Sequence, residues 1–149
     1  MKPLRAEAIF GAQETAAVVG ALGEVLQSVS STMDVARERL RAGVDDGYVV
    51  LAEHQSAGRG RTGSWDCPPG RGLLLGVVLK IGLPAAEQKL VAIMGAVAAV
   101  EAVCRAGVPA HIKWPNDVVV TREGPGALQV RKLGGVLVER VARGDAAPA

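Results

Sequence analysis

The residues best suited to chemistry lie between 53 and 72, in Glu-His-Gln-Ser-Ala-Gly-Arg-Gly-Arg-Thr-Gly-Ser-Trp-Asp-Cys-Pro-Pro-Gly-Arg-Gly. Glycine at 58, 60, 63, 70 and 72 lets the backbone turn and approach a ligand closely. Arginine at 59, 61 and 71 offers planar forks of donors that match carboxylate or phosphate. The stretch has neither a helical nor a strand period, so it predicts a loop. Two readings fit it: a lid over an anionic ligand, or an ordinary surface loop.

Two other polar interruptions stand among apolar segments. One is Ser30-Ser31-Thr32-Met33-Asp34. The other combines Lys113-Trp114-Pro115-Asn116-Asp117 with Lys132-Leu133-Gly134-Gly135. A serine followed three positions later by an acid is close to a capping box, which predicts a helix start. The unpaired N–H groups there suit an anion or a carbonyl oxygen, although Ser31 and Thr32, taken alone, read better as helix caps only. Lysine and asparagine beside apolar strands are costly without partners. There is no Ser/His/Asp arrangement, and His54 and His111 are isolated, so neither predicts a metal centre. Cationic donors, glycines and one Asn-Asp pair suit activation of a carboxylate by a nucleoside triphosphate. Arg and Lys would neutralise phosphate, and Asn or Asp would help to hold Mg²⁺.

The elements that must position these groups follow from periodicity and breakers. Helices are predicted at 13–22, from about 30 to Arg41, and at 87–106, the last apolar nearly all round and therefore buried against a sheet. Strands are predicted at 24–29, 48–53, 73–81, 111–114, 118–121 and 132–139. Of these, 73–81 reads as a central strand, and the last two read as a hairpin around a loop at 122–130. Strands with interspersed helices predict an α+β domain with a mixed, mostly antiparallel sheet and packed helices. Residues 1–142 are expected to form that domain, and 143–149 a disordered tail. If the final strand lacks a neighbour, a sheet edge is expected at 136–141.

Composition narrows the class. The 149 residues are 49% hydrophobic and 21% charged, enough to bury a core. A net charge of +2 with 3% aromatics argues against a nucleic-acid binder built on the Gly-Arg segment. Two cysteines without a CxxC give no disulfide framework. No signal peptide or bilayer-length apolar run is read, so a cytoplasmic location is expected.

Four pieces together carry a resemblance: Ser31-Thr32-Met33-Asp34-Val35-Ala36, Glu53-His54-Gln55-Ser56-Ala57-Gly58-Arg59-Gly60-Arg61, Lys113-Trp114-Pro115-Asn116-Asp117 and Lys132-Leu133-Gly134-Gly135-Val136-Leu137. In this order they resemble the biotin protein ligases, with the class II synthetase-like biotin–lipoate ligase catalytic fold. The resemblance implies that biotin is activated by ATP with Mg²⁺ to biotinyl-5′-AMP and passed to a lysine of a biotin carboxyl carrier domain. It implies biotin contacts at Ser31, Thr32, Met33, Gln55, Arg59, Gly60, Arg61 and Lys132. It implies nucleotide contacts at Gly58, Arg59, Arg61, Trp65, Asn116 and Asp117, with Arg61 and Lys132 as the catalytic cations; no metal ligand is assigned. A homodimer is compatible with it.

Three departures accompany the resemblance. Met33 stands where members often have Asn, and Gly63-Ser64-Trp65 is one residue shorter than the usual Gly-Arg-x-Trp. The chain is also expected to lack the family's C-terminal part and an N-terminal DNA-binding domain. Two alternatives stay open: a truncated, non-catalytic biotin-binding module, and a lipoate or octanoyl transferase-like protein.

Overall fold

Val49–Ala52 is a strand whose four residues are all buried. An uninterrupted Val-Val-Leu-Ala run is what a strand with neighbours on both sides needs. In the computed structural model, which describes residues 4–10, 19–84, 86–87, 89–124 and 127–141, it is the middle strand of three. The elements around it are α1 (Ala6–Phe10), β1 (Gly23–Leu26), α2 (Thr32–Arg41), β2 (Val49–Ala52) and β3 (Leu74–Val77). β2 pairs parallel to β1 and antiparallel to β3.

α2 covers this sheet. Thr32, Ala36 and Leu40 recur every fourth residue, and Ala36 packs with Val50 and Val78, flanked by Leu26, Val35, Leu40, Val44 and Tyr48. The Arg39 guanidinium grips both Glu24 carboxylate oxygens at 2.6 and 2.9 Å, which ties the helix to β1. Gly43, at φ 86°, ends α2 in a left-handed turn. Its N–H donates to the Leu40 carbonyl and that of Val44 to the Arg39 carbonyl, a Schellman closure.

The described residues divide into two compact units. The first takes those of Met1–Ile81 and Glu139–Ala149; the second is formed by those of Gly82–Val138. The second holds α3 (Lys89–Arg105), β4 (Ala110–Lys113), β5 (Asp117–Gly124) and β6 (Ala127–Gly135), with sheet order β4-β5-β6 and both pairs antiparallel. Its buried residues are Ala96, Ala110, Val118 and Val119. Gly107, at φ 84°, closes α3 as Gly43 closes α2, with bonds from Gly107 and Val108 to the Cys104 and Val103 carbonyls.

The α+β class with mixed, mostly antiparallel pairing is as expected, with the strands shared between two sheets. Several details differ. β3 is four residues long and stands at the end of its sheet, so 73–81 is not a central strand, and Leu73, Leu75, Leu79 and Ile81 are 40–73% exposed. Hydropathy reports a tendency to be buried, whereas strand order depends on partners far along the chain. α3 buries only Ala96 among its described residues and leaves Met94 65% exposed. One three-stranded sheet can cover only one stripe of a helix that is apolar nearly all round.

The loop expected at 122–130 is mostly strand, because β5 runs to Gly124 and β6 starts at Ala127. Cross-strand pairing runs out to Gly124 opposite Ala127, so most of these residues take up ladder hydrogen bonds. β6 stops at Gly135, so 136–139 is not strand and the expected edge at 136–141 does not form. The hairpin itself is as expected, with a bulge at Leu133 where Val118 pairs with Gly134 and Val119 with Lys132. The helix expected at 13–22 falls mainly on residues outside those described; 19–22 form turns and bends. The tail at 143–149 also lies outside the described residues. Among the described residues no helix is long and apolar enough to cross a membrane.

Candidate functional site

Because β1 and β2 are parallel, the segments that leave their C-terminal ends run side by side. The Val29 N–H donates to the His54 carbonyl, Ser56 to Val29 and Ala57 to Ser30, at 2.8–3.1 Å. This ladder brings Gln55 to the start of α2. Ser31 is the N-cap, extended at φ −158° and ψ 142°, and its hydroxyl accepts from the Met33 N–H at 3.3 Å. The Gln55 side-chain oxygen accepts from the Thr32 N–H at 2.7 Å and from the Thr32 hydroxyl at 2.9 Å. Ser31 and Thr32 are 1% and 4% exposed. Gly76 of β3 lets the helix start sit this close, since a Cβ there would come within 3.0 Å of the Thr32 carbonyl oxygen.

The glycine-arginine stretch folds back on itself. The Trp65 N–H donates to the Gly58 carbonyl at 2.8 Å and the Gly60 N–H to the Gly63 carbonyl at 2.6 Å, with a bridge between Arg59 and Ser64. Gly58 cannot carry a side chain: a Cβ would overlap the Trp65 carbonyl oxygen and lie 2.8 Å from Gln55 Nε2. Gly63 has open space instead. Gly60 and Arg61 are exposed at the turn, and Trp65 is half-buried.

The Arg59 side chain turns to carboxylates. Its two terminal nitrogens donate to Asp34 Oδ1 and Oδ2 at 2.8 and 3.1 Å, and its Nε donates to Glu139 Oε1 at 3.3 Å. Arg37 also reaches both acids, Glu139 in a short contact and Asp34 at 3.5 Å. The hydrogen bond from Arg59 holds the Asp34 carboxyl below the ordinary carboxylate range, opposed by burial and helped by Ser30 and Arg37. The same bond to Asp34 raises the Arg59 guanidinium.

The second unit carries the other sequence-predicted residues. Lys113, Asp117, Val119, Val130 and Lys132 line an open cleft of about 530 Å³. Register explains the grouping, since Lys113 pairs with Asp117, Val119 with Lys132 and Thr121 with Val130, which puts alternate residues on one face. Lys132 Nζ meets Asp117 Oδ1 at 2.7 Å. The Asn116 amide donates to the Val136 carbonyl at 2.8 Å, and the Val136 N–H returns a bond to the Asn116 carbonyl at 2.9 Å. Asn116 therefore secures the segment after β6. No group of three or more His, Cys, Asp or Glu able to hold a metal exists among the described residues.

Ser31, Thr32, Met33, Gln55, Gly58, Arg59, Gly60, Arg61 and Trp65 thus belong to the first unit, and Asn116, Asp117 and Lys132 to the second. Sequence reasoning missed Glu139 and the pairing role of Asp34. The three-residue spacing of Asp34 and Arg37 on a helix could have signalled one ion pair. Nothing local marks Glu139, whose partners lie 80 and 102 positions earlier.

Residues 25–148 match the biotin/lipoate A/B protein ligase family. The chain is 37% identical over 127 residues to the bifunctional ligase/repressor BirA of Escherichia coli, covering 83% of this chain and 36% of that protein. It spans about a third of the length of the curated relatives it matches. Among solved structures it is similar to the biotin protein ligase of Leishmania major in complex with biotin, at TM-score 0.53 and 28% identity over 72% of this chain and 54% of that one. It is also similar to the Aquifex aeolicus biotin protein ligase in complex with biotin and ATP, at TM-score 0.52 and 26% identity over 85% and 58%.

Proposed function

This chain belongs to the biotin/lipoate A/B protein ligase family, and from that premise we propose that it provides biotin- and ATP-handling parts of a biotin protein ligase. The observation that carries the reading is the meeting of Ser31, Thr32 and Gln55 at the start of α2. A ureido ring presents two N–H donors and a carbonyl acceptor, and a cluster of hydroxyls and a side-chain amide is complementary to it. The dithiolane of lipoate offers no comparable hydrogen-bonding groups, so the cluster favours biotin.

In the proposed reaction a biotin carboxylate oxygen attacks the α-phosphorus of ATP. Pyrophosphate leaves and biotinyl-5′-AMP forms. A lysine amine of a carboxyl carrier domain then attacks the anhydride carbonyl, AMP departs and the amine loses a proton. Ser31, Thr32 and Gln55 orient the head group, with Met33 contributing only its main chain. Gly58 and Gly60 permit close approach of the loop, and the Arg59 guanidinium is committed to anchoring it. Arg61 and Lys132 are the cations assigned to charge that builds on the carboxylate and α-phosphoryl oxygens. Trp65 is assigned to the adenine, and Asn116 and Asp117 to the nucleotide side. Mg²⁺ would arrive on the ATP phosphates.

The test is pyrophosphate release from the chain given biotin, ATP and Mg²⁺. Lys132→Ala and Arg61→Ala should each lower the rate by about 10²-fold or more. Rates equal to the unsubstituted chain would refute these assignments. A binding-only reading has one observation in its favour: the Ser31, Thr32 and Gln55 cluster is assembled within a single unit. Biotin binding by calorimetry without biotin-dependent pyrophosphate release would select it.

A further inference from the structure

Lys132 is followed by the bulge at Leu133 and then by Gly134-Gly135, the least constrained main chain in β6. Its side chain reaches forward over Gly135. A Cβ on Gly135 would come within 3.2 Å of Asp117 Oδ1 and 3.4 Å of Lys132 Cε and Nζ. The bare backbone of Gly135 is thus the floor under the Lys132–Asp117 pair, and Gly135 is also the ladder partner of Asp117. Whatever fixes Gly135 fixes the place at which the Lys132 ammonium is presented.

Val136 provides the anchor. Asp117 pairs with Gly135, so Asn116 and Val136 face each other one step beyond the ladder. An antiparallel hydrogen-bonded pair exchanges two main-chain bonds. Here the Val136 N–H donates to the Asn116 carbonyl at 2.9 Å, and the return bond to the Val136 carbonyl, at 2.8 Å, comes from the Asn116 side-chain amide. Asn116 stands in the turn between β4 and β5, so its side chain extends the sheet into that turn. On its other side Val136 meets α3 so closely that a Cβ on Gly95 would lie 2.9 Å from Val136 Cγ1. All of these residues belong to the second unit.

We propose that Asn116 is a positioning residue for Lys132: by completing the pair with Val136 it fixes Gly135, the floor on which Lys132 meets Asp117. The inference rests on the biotin ligase reading for the reaction that Lys132 serves, but not for the link from Asn116 to Lys132. Asn116 then serves the nucleotide side through Val136 and not by touching the nucleotide. A cation held in one place stabilises developing charge better than one that wanders, so loosening Val136 lowers the rate through Lys132.

The experiment uses Asn116→Ala and Asn116→Leu, which remove the donor, the second with little loss of volume. Each is made in the unsubstituted chain and beside Lys132→Ala. Three quantities are read: amide hydrogen exchange, acetylation of Lys132 by acetic anhydride relative to Lys80, and pyrophosphate release with biotin, ATP and Mg²⁺. Exchange of the Val136 amide should speed by about tenfold while the Val118 and Val119 amides keep their rates. Acetylation of Lys132 should rise on the order of threefold as its exposed ion pair loosens. The kcat for pyrophosphate release should fall about tenfold, and the Asn116 substitutions should add nothing once Lys132 is alanine. Unchanged Lys132 acetylation, equal acceleration of exchange throughout β5, or an undiminished loss of rate in the Lys132→Ala background would each overturn the proposal. If the unsubstituted chain releases no pyrophosphate, the ligase reading falls by itself, and exchange with acetylation still decides for or against the link.

Discussion

In the first unit Ser31 and Thr32 are enclosed, with Thr32 held by Gln55; in the second, Lys113, Asp117 and Lys132 line an open cleft. Thr32 is 4% exposed with both of its donors on one Gln55 oxygen. Lys132, by contrast, has a side chain 46% exposed beside Asp117. An enclosed polar group is costly if it loses its partner, so its neighbours must be arranged with little tolerance. An exposed ion pair contributes little to stability and can exchange its partner for a ligand at small cost. The first cluster is held by paired, enclosed groups, and the second leaves its charges at an exposed face.

The sharpest way to break this contrast is to add one methyl group in each region. Gly58→Ala drives a Cβ into the Trp65 carbonyl oxygen and the Gln55 amide, whereas Gly134→Ala meets nothing within 4 Å. Gly58→Ala should cost about 1–3 kcal/mol by overpacking, with the loop displaced and biotin affinity falling. Gly134→Ala should leave both nearly unchanged. Thermal denaturation and calorimetry on the two variants check this, and equal effects would remove the distinction between the regions.

A smaller effect is expected from cutting one side-chain interaction in each region. Gln55→Leu leaves the Thr32 N–H and hydroxyl without the oxygen that takes both, and should destabilise by about 1–3 kcal/mol. Lys132→Met separates an exposed pair and should change stability by less than about 1 kcal/mol. Urea unfolding monitored by circular dichroism would measure both. A Lys132→Met loss as large as that of Gln55→Leu would mean that the second cluster is also structural.

The regions were unequally legible in the sequence. The start of α2 was readable because a cap is a local pattern, and Ser31 performs that role. The motif around Gln55 was readable as a loop between apolar strands. Its approach to Thr32 follows from the parallel pairing of β1 and β2, which no local pattern encodes. Arg59 was read as an anion-binding side chain. A planar fork of donors suits carboxylate or phosphate, and in the structure it meets two carboxylates of the chain itself, Asp34 and Glu139, which no local pattern marks. The exposed apolar faces of α3 and β3 were misread for a related reason. Hydropathy records what a residue prefers, and the packing partner that would satisfy it is chosen elsewhere in the chain.

The smallest expected effect refines the comparison within the first unit, because it separates the ion pairs of Asp34 and Glu139 with Arg37 and Arg59 from the Ser31, Thr32 and Gln55 cluster. Asp34 titrates and Gln55 does not. With its folded value held below the ordinary range by Arg59, Asp34 contributes stability that is complete above about pH 4 and is lost as the pH falls through that folded value. The pair is about one third exposed, so the contribution is small and salt should diminish it. Acid unfolding of the unsubstituted chain should therefore begin at a slightly higher pH in high salt, and Asp34→Asn should flatten this part of the profile. Gln55→Leu should instead lower stability by the same amount at every pH, since no proton is taken up at that site. A Gln55→Leu loss that grew or shrank between pH 3 and 7 would show that this cluster and the Asp34 ion pairs act as one unit.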